Sequence, residues 1–481
     1  MPSDEHRIRL ESDDFACDDV QVHRVRGREE ISRLFSFRVD VVTSGAPLSS
    51  TELVGASVVL CFERGGDTTR RLHAVIAAVD EDLDMEQDDR FGASWHIVPR
   101  AHWLTMVHTQ DVFQHLSVPA IVREKLQRVD LAPGTTMRLE GNYPERDFVV
   151  QYRETDLAFI SRLCEHLGIS FFFEEDADTT KIVFTDHNGG FARRDDQYEI
   201  PCRGRGERRD VFALRRTTEL RPAHFVVMDY NYRAPRVDLT ASAAAEHGFA
   251  GGFVEYGTHH RDAEAGRELA RVRAEESDAQ HRVYQGESTL AEIAAGHRYR
   301  LVGHPRVDAP ELLVTSVEHE AEQGLFSQAS GEGFYRNRFT AIDAAQTFRP
   351  PRRTPKPRIS GWMHGVVQPR PREELGDFAQ LDAYGRYVVK FLFHVAESPE
   401  LQASKPVRMA QPHVGPDHGM HFPLRPGVEV ALAFMEGDPD RPIIVGAIHN
   451  ARTPDHVTNA NPKLNRIRTG TGVQITIQDA R

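Results

Sequence analysis

A mainly β fold with α+β insertions is what this sequence predicts, and three observations carry the prediction. Short runs of alternating apolar and polar residues fill the first hundred positions and return after Val211. Helical periodicity is confined to a few segments, around Val118–Val129, Asp156–Leu167 and Arg261–Gln280. A third block of short strands and turns follows a proline-rich stretch near position 350. At 481 residues the chain exceeds one compact core, so roughly two to four domains are expected.

In the first block Phe35, Phe37, Val39 and Val41 alternate with Ser36, Arg38 and Asp40, the period of a half-buried strand. Val58–Phe62, Leu72–Val79 and Trp95–Val98 repeat the pattern, with spacers such as Gly65-Gly66-Asp67 between them. Many short strands with little helix suggest a small barrel or sandwich. The next block is α+β. Val118–Val129 predicts a short helix with Pro119 in its first turn. Leu157, Ile160, Leu163, Cys164 and Leu167 share one face of a helix over about 156–167, which Thr155 can cap and Gly168 can end. Strands are expected on both sides, at Phe148–Tyr152 and Ile169–Phe173.

Strands resume at Phe225–Tyr232, His297–Val302 and Leu312–His319. The helix at about Arg261–Gln280 has Leu269 and Val272 as its main apolar contacts, and its Arg, Glu and Ala content predicts a mostly water-facing circumference. Four prolines in Pro350–Pro357 favour an extended linker and a domain boundary. Beyond it Tyr387, Val389 and Phe391 alternate with Arg386, Val388 and Lys390. Val428, Val430, Leu432 and Phe434 alternate with Glu429, Ala431 and Ala433. The turn Glu436-Gly437-Asp438-Pro439-Asp440-Arg441-Pro442 follows. Roughly 90 residues of this kind fit a five- or six-stranded barrel such as an OB-fold. The last strand, in Ile467–Ile477, needs an earlier strand or another chain to pair with.

Charge and composition narrow the function. A formal charge of −13 argues against a general nucleic-acid binder, whose affinity comes from neutralising phosphates. Only six of the 59 basic residues are Lys, and the arginines alternate with acids, as solvated faces and ion pairs do. Met1–Leu10 lacks the apolar stretch of a secretory signal, and no run of 18 apolar residues could span a bilayer, so cytosolic synthesis is expected. Cys17, Cys61, Cys164 and Cys202 lie far apart and read as reduced thiols rather than a disulfide framework or a zinc site.

Val150-Gln151-Tyr152-Arg153-Glu154-Thr155-Asp156-Leu157-Ala158-Phe159-Ile160-Ser161-Arg162-Leu163, followed by Gly168-Ile169 and Phe171–Phe173, resembles the signature of the VgrG family. These proteins are the tip spikes of type VI secretion and related contractile injection systems. More of the family pattern recurs in order: Gly296-His297-Arg298-Tyr299, His304-Pro305, Leu313–His319, Phe348-Arg349-Pro350, Asp382–Phe391, and Gly427–Val430 with the turn at 436–442. The resemblance implies a first hub-type β-barrel at 1–105, an α+β insertion at 106–200 and a second hub-type barrel with a helical insertion at 201–349. After a linker at 350–360 it implies an OB-fold collar at 361–452 and the start of a β-helix needle at 453–481. It further implies a homotrimer, docked on the hexameric protein of an inner tube, that leaves the cytoplasm through the apparatus and pierces membranes mechanically. In the family a PAAR cap and effectors ride on the needle. This chain stops at Arg481, where the needle would begin, so that cap-docking tip and any effector domain are expected to be absent from it.

No catalytic pattern emerges: there is no GxSxG, HExxH, Walker A or complete GxGxxG sequence. No catalytic residue, cofactor or metal is assigned, and the chain is read as a non-enzyme. The carboxylates of Asp80–Asp84 read as a solvated loop, while Glu154 and Asp156 suit the positive end of a helix dipole. His413, His418 and His421 cluster without a standard ligand spacing, and His259 and His260 read as surface residues. Tyr387 and Phe391 read as core rather than as a stacking platform for a polysaccharide or nucleic acid. The alternatives are a polysaccharide-binding OB module and a cell-wall hydrolase on a spike scaffold, although the hydrolase would need more chain after Asn450 than remains.

Overall fold

The computed structural model describes residues 6–44, 48–81, 90–176, 178–193, 197–203, 209–304, 306, 311–324, 333–370, 378–393 and 404–479. They form two compact units. The first comprises Met1–Val107, Val122–Tyr143 and Thr155–Pro355, the second His108–Ile121, Pro144–Glu154 and Lys356–Arg481. The polypeptide therefore passes between the units five times.

One large sheet dominates the first unit. Its N-terminal strands are β1 (His6–Glu11), β2 (Val20–Glu30), β3 (Ser36–Ser44), β4 (Ser57–Arg64), β5 (Asp67–Glu81) and β6 (Arg90–Val98). Two further strands, β7 (Ser170–Glu175) and β8 (Thr180–Thr185), make a small sheet with residues Thr135–Arg138. The large sheet resumes with β9 (Val211–Thr218); β10 (His224–Met228), β11 (Ala241–Ala244) and β12 (Gly252–Tyr256) form a separate sheet. Then come β13 (Arg282–Ser288), β14 (Arg298–Val302), β15 (Glu311–Glu322) and β16 (Phe334–Asp343). The order β1-β4-β5-β6-β3-β2-β15-β16-β13-β9 is antiparallel throughout, and β14 adds to β15 off this path. The strands that sequence divides between two barrels are thus hydrogen bonded into one sheet through the β2–β15 ladder.

Each half of that sheet has its own core. Phe35, Phe37, Val39, Leu60, Phe62, Trp95 and Ile97 are buried in one, Tyr284, Tyr299, Leu312, Val314, Val317 and Phe339 in the other. The same packing device appears in both. Gly27 on β2 lies opposite Phe37 on β3, and Gly286 on β13 lies opposite Phe339 on β16. A methyl group on either glycine would fall 2.0 or 2.2 Å from the nearest atom of the facing phenyl ring. Gly27→Ala is therefore expected to overpack the core and destabilise by about 1–3 kcal/mol in urea unfolding, and Phe37→Leu in the same chain should restore part of the loss.

Helix α1 spans Val118–Gln127 and α2 spans Asp156–Leu167, the latter at the bounds its periodicity predicts. Thr155 Oγ1 accepts a hydrogen bond from the Ala158 N–H at 3.2 Å, and Gly168 ends the helix at a φ of 71°. Helix α3 (Ala263–Asp278) corrects the sequence reading. Only Ala263, Glu264, Arg267, Glu268 and Arg271 are exposed, and the other residues are buried or half-buried. Leu269 and Ala270 pack on Val227 and Ala241, while the charged residues of the inner face are spent inside the protein. Arg273 donates to Glu255 and to the His166 carbonyl, both at 2.9 Å, and Asp278 accepts from the Glu246 and His247 N–H groups. Charge content misled because these charges are paired internally.

In the second unit β17 (Met363–Val367), β18 (Val389–Phe391), β19 (Glu429–Phe434) and β20 (Pro442–Ile448) make an antiparallel sheet in the order β18-β17-β19-β20. Tyr387, Val389, Phe391, Val430, Leu432 and Ile444 fill its core. Phe148, Val150 and Tyr152 join that core, although they precede it by more than 200 residues. The chain closes with a hairpin of β21 (Leu464–Arg468) and β22 (Gln474–Gln478), which pair with each other. All four cysteines are free, Cys61 and Cys164 buried, Cys17 and Cys202 half-buried. Among the described residues no helix is long and apolar enough to cross a membrane.

Candidate functional site

The signature segment is built on buried charge. Asp156 opens α2, where the dipole favours an anion, and it does more than that position requires. Its Oδ1 lies 2.9 Å from Lys125 Nζ on α1, with Lys125 completely buried and Asp156 nearly so. At the other end of α2, buried Glu165 accepts from the backbone N–H groups of Arg353 and Thr354 and from Thr354 Oγ1, at 2.8 to 3.0 Å. The proline-rich stretch is thereby strapped down. Arg349 Nε donates to Glu275 at 2.7 Å, and Arg352 reaches both Glu276 and Glu255. Upstream, Gln151 is buried and donates to the Glu154 carbonyl at 3.1 Å. Between them Arg153 sits at a φ of 48°, a left-handed conformation costing an L-residue about 1–2 kcal/mol.

A second constellation lies at the junction of the two halves of the large sheet. Arg70 on β5 donates two hydrogen bonds to Glu29 on β2, at 2.7 and 3.0 Å, and a third to Glu175 on β7 at 2.5 Å. His319 on β15 meets the same Glu29 carboxylate through Nε2 at 2.8 Å, and its Nδ1 is 2.7 Å from the Tyr335 hydroxyl. Asn337 completes the chain by donating to that hydroxyl at 3.2 Å. Burial opposes charge on Glu29, but Arg70 and His319 outweigh it and hold the carboxyl well below the usual range. For His319 desolvation dominates and pushes the imidazole down, towards the neutral form. Sequence motifs do not register this cluster, because its members come from five strands spread over some 300 positions. Strand parity does carry a trace of it: Val25, Gly27 and Glu29 share the inward face of β2, as Val317, His319 and Ala321 do on β15.

Other residues singled out by sequence fall in ordinary surroundings. His413, His418 and His421 are exposed; His418 Nδ1 contacts the Pro416 carbonyl at 2.7 Å, and His421 Nε2 the Tyr387 hydroxyl at 2.9 Å. His260 corrects its surface assignment: it is buried, with Nδ1 2.8 Å from Thr258 Oγ1 and Nε2 2.6 Å from the Leu239 carbonyl, while His259 is half-buried. Asp80 and Glu81 end β5; Asp82, Leu83 and Asp84 of the acidic run, like Pro305 and Arg481, lie outside the described residues. Tyr387 and Phe391 point into the core. In the turn at 436–442 buried Asp440 accepts from the Val150 N–H at 2.7 Å and from Lys356 Nζ at 2.6 Å. The geometry is that of packing and strapping, with ion pairs serving as joints between elements.

Comparison with known proteins gives these joints a family. Residues 28–325 match the phage tail baseplate hub (GPD) family. VgrG1a, a type VI secretion system spike protein of Pseudomonas aeruginosa, is 31% identical over 474 residues, covering 94% of this chain and 72% of VgrG1a. The chain belongs to the VgrG spike family. VgrG1c of the same organism is 29% identical, covering 94% of this chain and 64% of that protein, so this VgrG chain spans less than two thirds of its length. Residues 375–448 match a domain of unknown function (DUF6484). Among solved structures, the E. coli c3393 protein is a type VI secretion component described as similar to the T4 bacteriophage tail proteins gp27 and gp5. It aligns over 92% of this chain and 100% of its own at a TM-score of 0.66 and 23% identity, a likeness of fold. The VgrG relatives are spike proteins, and the hub fold accounts for the large antiparallel sheet found here.

The second unit of this VgrG chain carries exposed apolar side chains. On the terminal hairpin Ile467 lies opposite Ile475, and Ile467, Val473, Ile475 and Ile477 are 45 to 69% exposed. Trp362, Phe378, Tyr384 and Leu392 are exposed as well. Single exposed apolar residues are ordinary, but a β-ribbon presenting four of them needs a partner.

Proposed function

We propose that this chain is the trimeric hub and collar of a contractile injection spike. It would fit a hexameric inner tube above and carry a puncturing tip below, without catalysis of its own. The terminal hairpin carries this reading. A two-stranded ribbon is marginal in water by itself, and three copies intertwining β21 and β22 would bury the four apolar side chains and fill the open edges. The four-stranded sheet of the second unit serves as an OB-type collar, and the hairpin as the first turn of a β-helix. Repetition of the glycine–phenyl pair in both halves of the large sheet supports two related hub lobes per chain. Three chains would then offer six lobes to a six-fold tube. Five passes of the polypeptide between the units would spread a pulling load over several covalent connections. A PAAR cap, effectors and export through the apparatus belong to the same reading.

Light scattering tests it. The expected mass is three times the 54.3 kDa of the chain, with dissociation on dilution. Ile475→Asp together with Ile477→Asp should shift the population to monomer, with an unfolding midpoint no lower than that of the parent chain diluted to monomer. Monomer alone over a wide concentration range, or turnover of cell-wall material, would overturn the proposal.

A further inference from the structure

The second unit contains an open groove of about 710 Å3 beside the strained turn at Arg153. Its floor is apolar: Tyr152 and Ile359 belong to the core, and Phe393 packs edge-on against Tyr152 with ring centroids 5.7 Å apart. One wall is Trp362, 73% exposed, and another is Leu392, 56% exposed. The rim is cationic. Arg153 and Arg358 are both exposed, and among the described residues neither forms an ion pair. Among the described residues the lining contains no aspartate or glutamate. His364, also on the rim, already contacts Glu429 through Nδ1 at 2.5 Å.

An exposed tryptophan over an apolar floor is the composition of a binding hot spot, and unpaired arginines select a carboxylate beside the apolar anchor. The volume lies in the range of sites that take a few side chains. We infer that this groove docks an extended segment of a partner protein in which an aromatic or leucine side chain is flanked by acidic residues. The anchor seats against Trp362, Leu392 and Phe393, and the flanking carboxylates pair with Arg153 and Arg358. Arg153, in its left-handed backbone conformation, lines the groove with its guanidinium 5.3 Å from the Tyr152 ring. A second copy of this chain is the competing occupant, and the charge pattern of the lining favours the acidic segment over it.

Fluorescence anisotropy with the full chain and the labelled peptide Gly-Asp-Glu-Phe-Leu-Glu-Asp-Gly tests the inference. Saturable binding is expected, weakened tenfold or more when lysines replace the acids, when serines replace Phe-Leu, and by 0.5 M salt. Trp362→Ala, and Arg153→Glu with Arg358→Glu, should each weaken binding at least tenfold. All three positions are exposed, so unchanged unfolding midpoints will establish that the variants fold. Equal binding of the lysine peptide, or binding indifferent to these substitutions, overturns the assignment. So does a Trp362→Ala chain whose light-scattering mass drops while the parent chain ignores the peptide, since a second copy then covers the groove. Mass and anisotropy read from the same samples separate failure of this inference from failure of the trimer.

Discussion

Arg70→Leu is expected to lower folding stability by about 3–5 kcal/mol. Leucine fills part of the volume but removes the cation that Glu29 and Glu175 share, and Glu29 is fully enclosed. Removing one member of a buried ion cluster is worse than never having had it, because the remaining carboxylates keep their desolvation penalty and lose their partner. Urea unfolding gives the magnitude. Adding Glu29→Gln to Arg70→Leu should recover part of the loss, since a neutral amide tolerates burial better than an orphaned anion. A single-variant loss below about 1 kcal/mol would mean that water reaches the cluster.

The same cluster sets an acid limit on the hub. The His319 imidazole titrates below 6.5 in the native state, so as pH falls through 6.5 the unfolded chain takes up a proton that the native chain refuses. Stability then declines with acid. Glu29, held below its usual 4.5, adds a second decline: its contribution is complete above that pH and is lost as the unfolded carboxylate protonates beneath it. His319→Gln should flatten the upper part of this profile and leave the lower. The groups facing His319 are Glu29 and Tyr335 by direct hydrogen bond, with Arg70 and Glu175 behind them.

Local signals were legible where one element decides its own form. Helix α2 was readable to its bounds because spacing, cap and terminal glycine all agree within 14 residues. Strand β3 was readable from alternation alone. The reading failed where a charged residue is inside. Arg273, Glu165 and Lys125 are each buried and satisfied by partners about 20 to 190 residues away, and nothing local distinguishes them from solvated charges. The terminal hairpin shows the opposite limit. Its apolar alternation was visible, and it pairs within the chain, yet what covers its isoleucines is a property of neighbours that one sequence does not contain. The assembly role therefore rested on family signature rather than on periodicity.

Lys125→Met tests whether the signature segment is a structural joint. Methionine matches the aliphatic stem, so packing around α1 is kept and the change isolates the charge. Asp156 would remain nearly sealed from solvent at the first turn of α2, with its Lys125 Nζ partner at 2.9 Å gone. The helix dipole is worth only about 0.3–1 kcal/mol to such an anion, too little to replace that cation. A loss of about 3–5 kcal/mol is expected in urea unfolding, and Asp156→Asn should cost less because the amide still suits the helix start. The double variant decides between joint and dipole. If Lys125 and Asp156 act together, the two losses fall short of additive by 2 kcal/mol or more; if Asp156 merely serves the dipole, they add. Coupling of that size would explain why a lysine, scarce in this chain, is found at a fully buried position where an apolar residue would pack equally well.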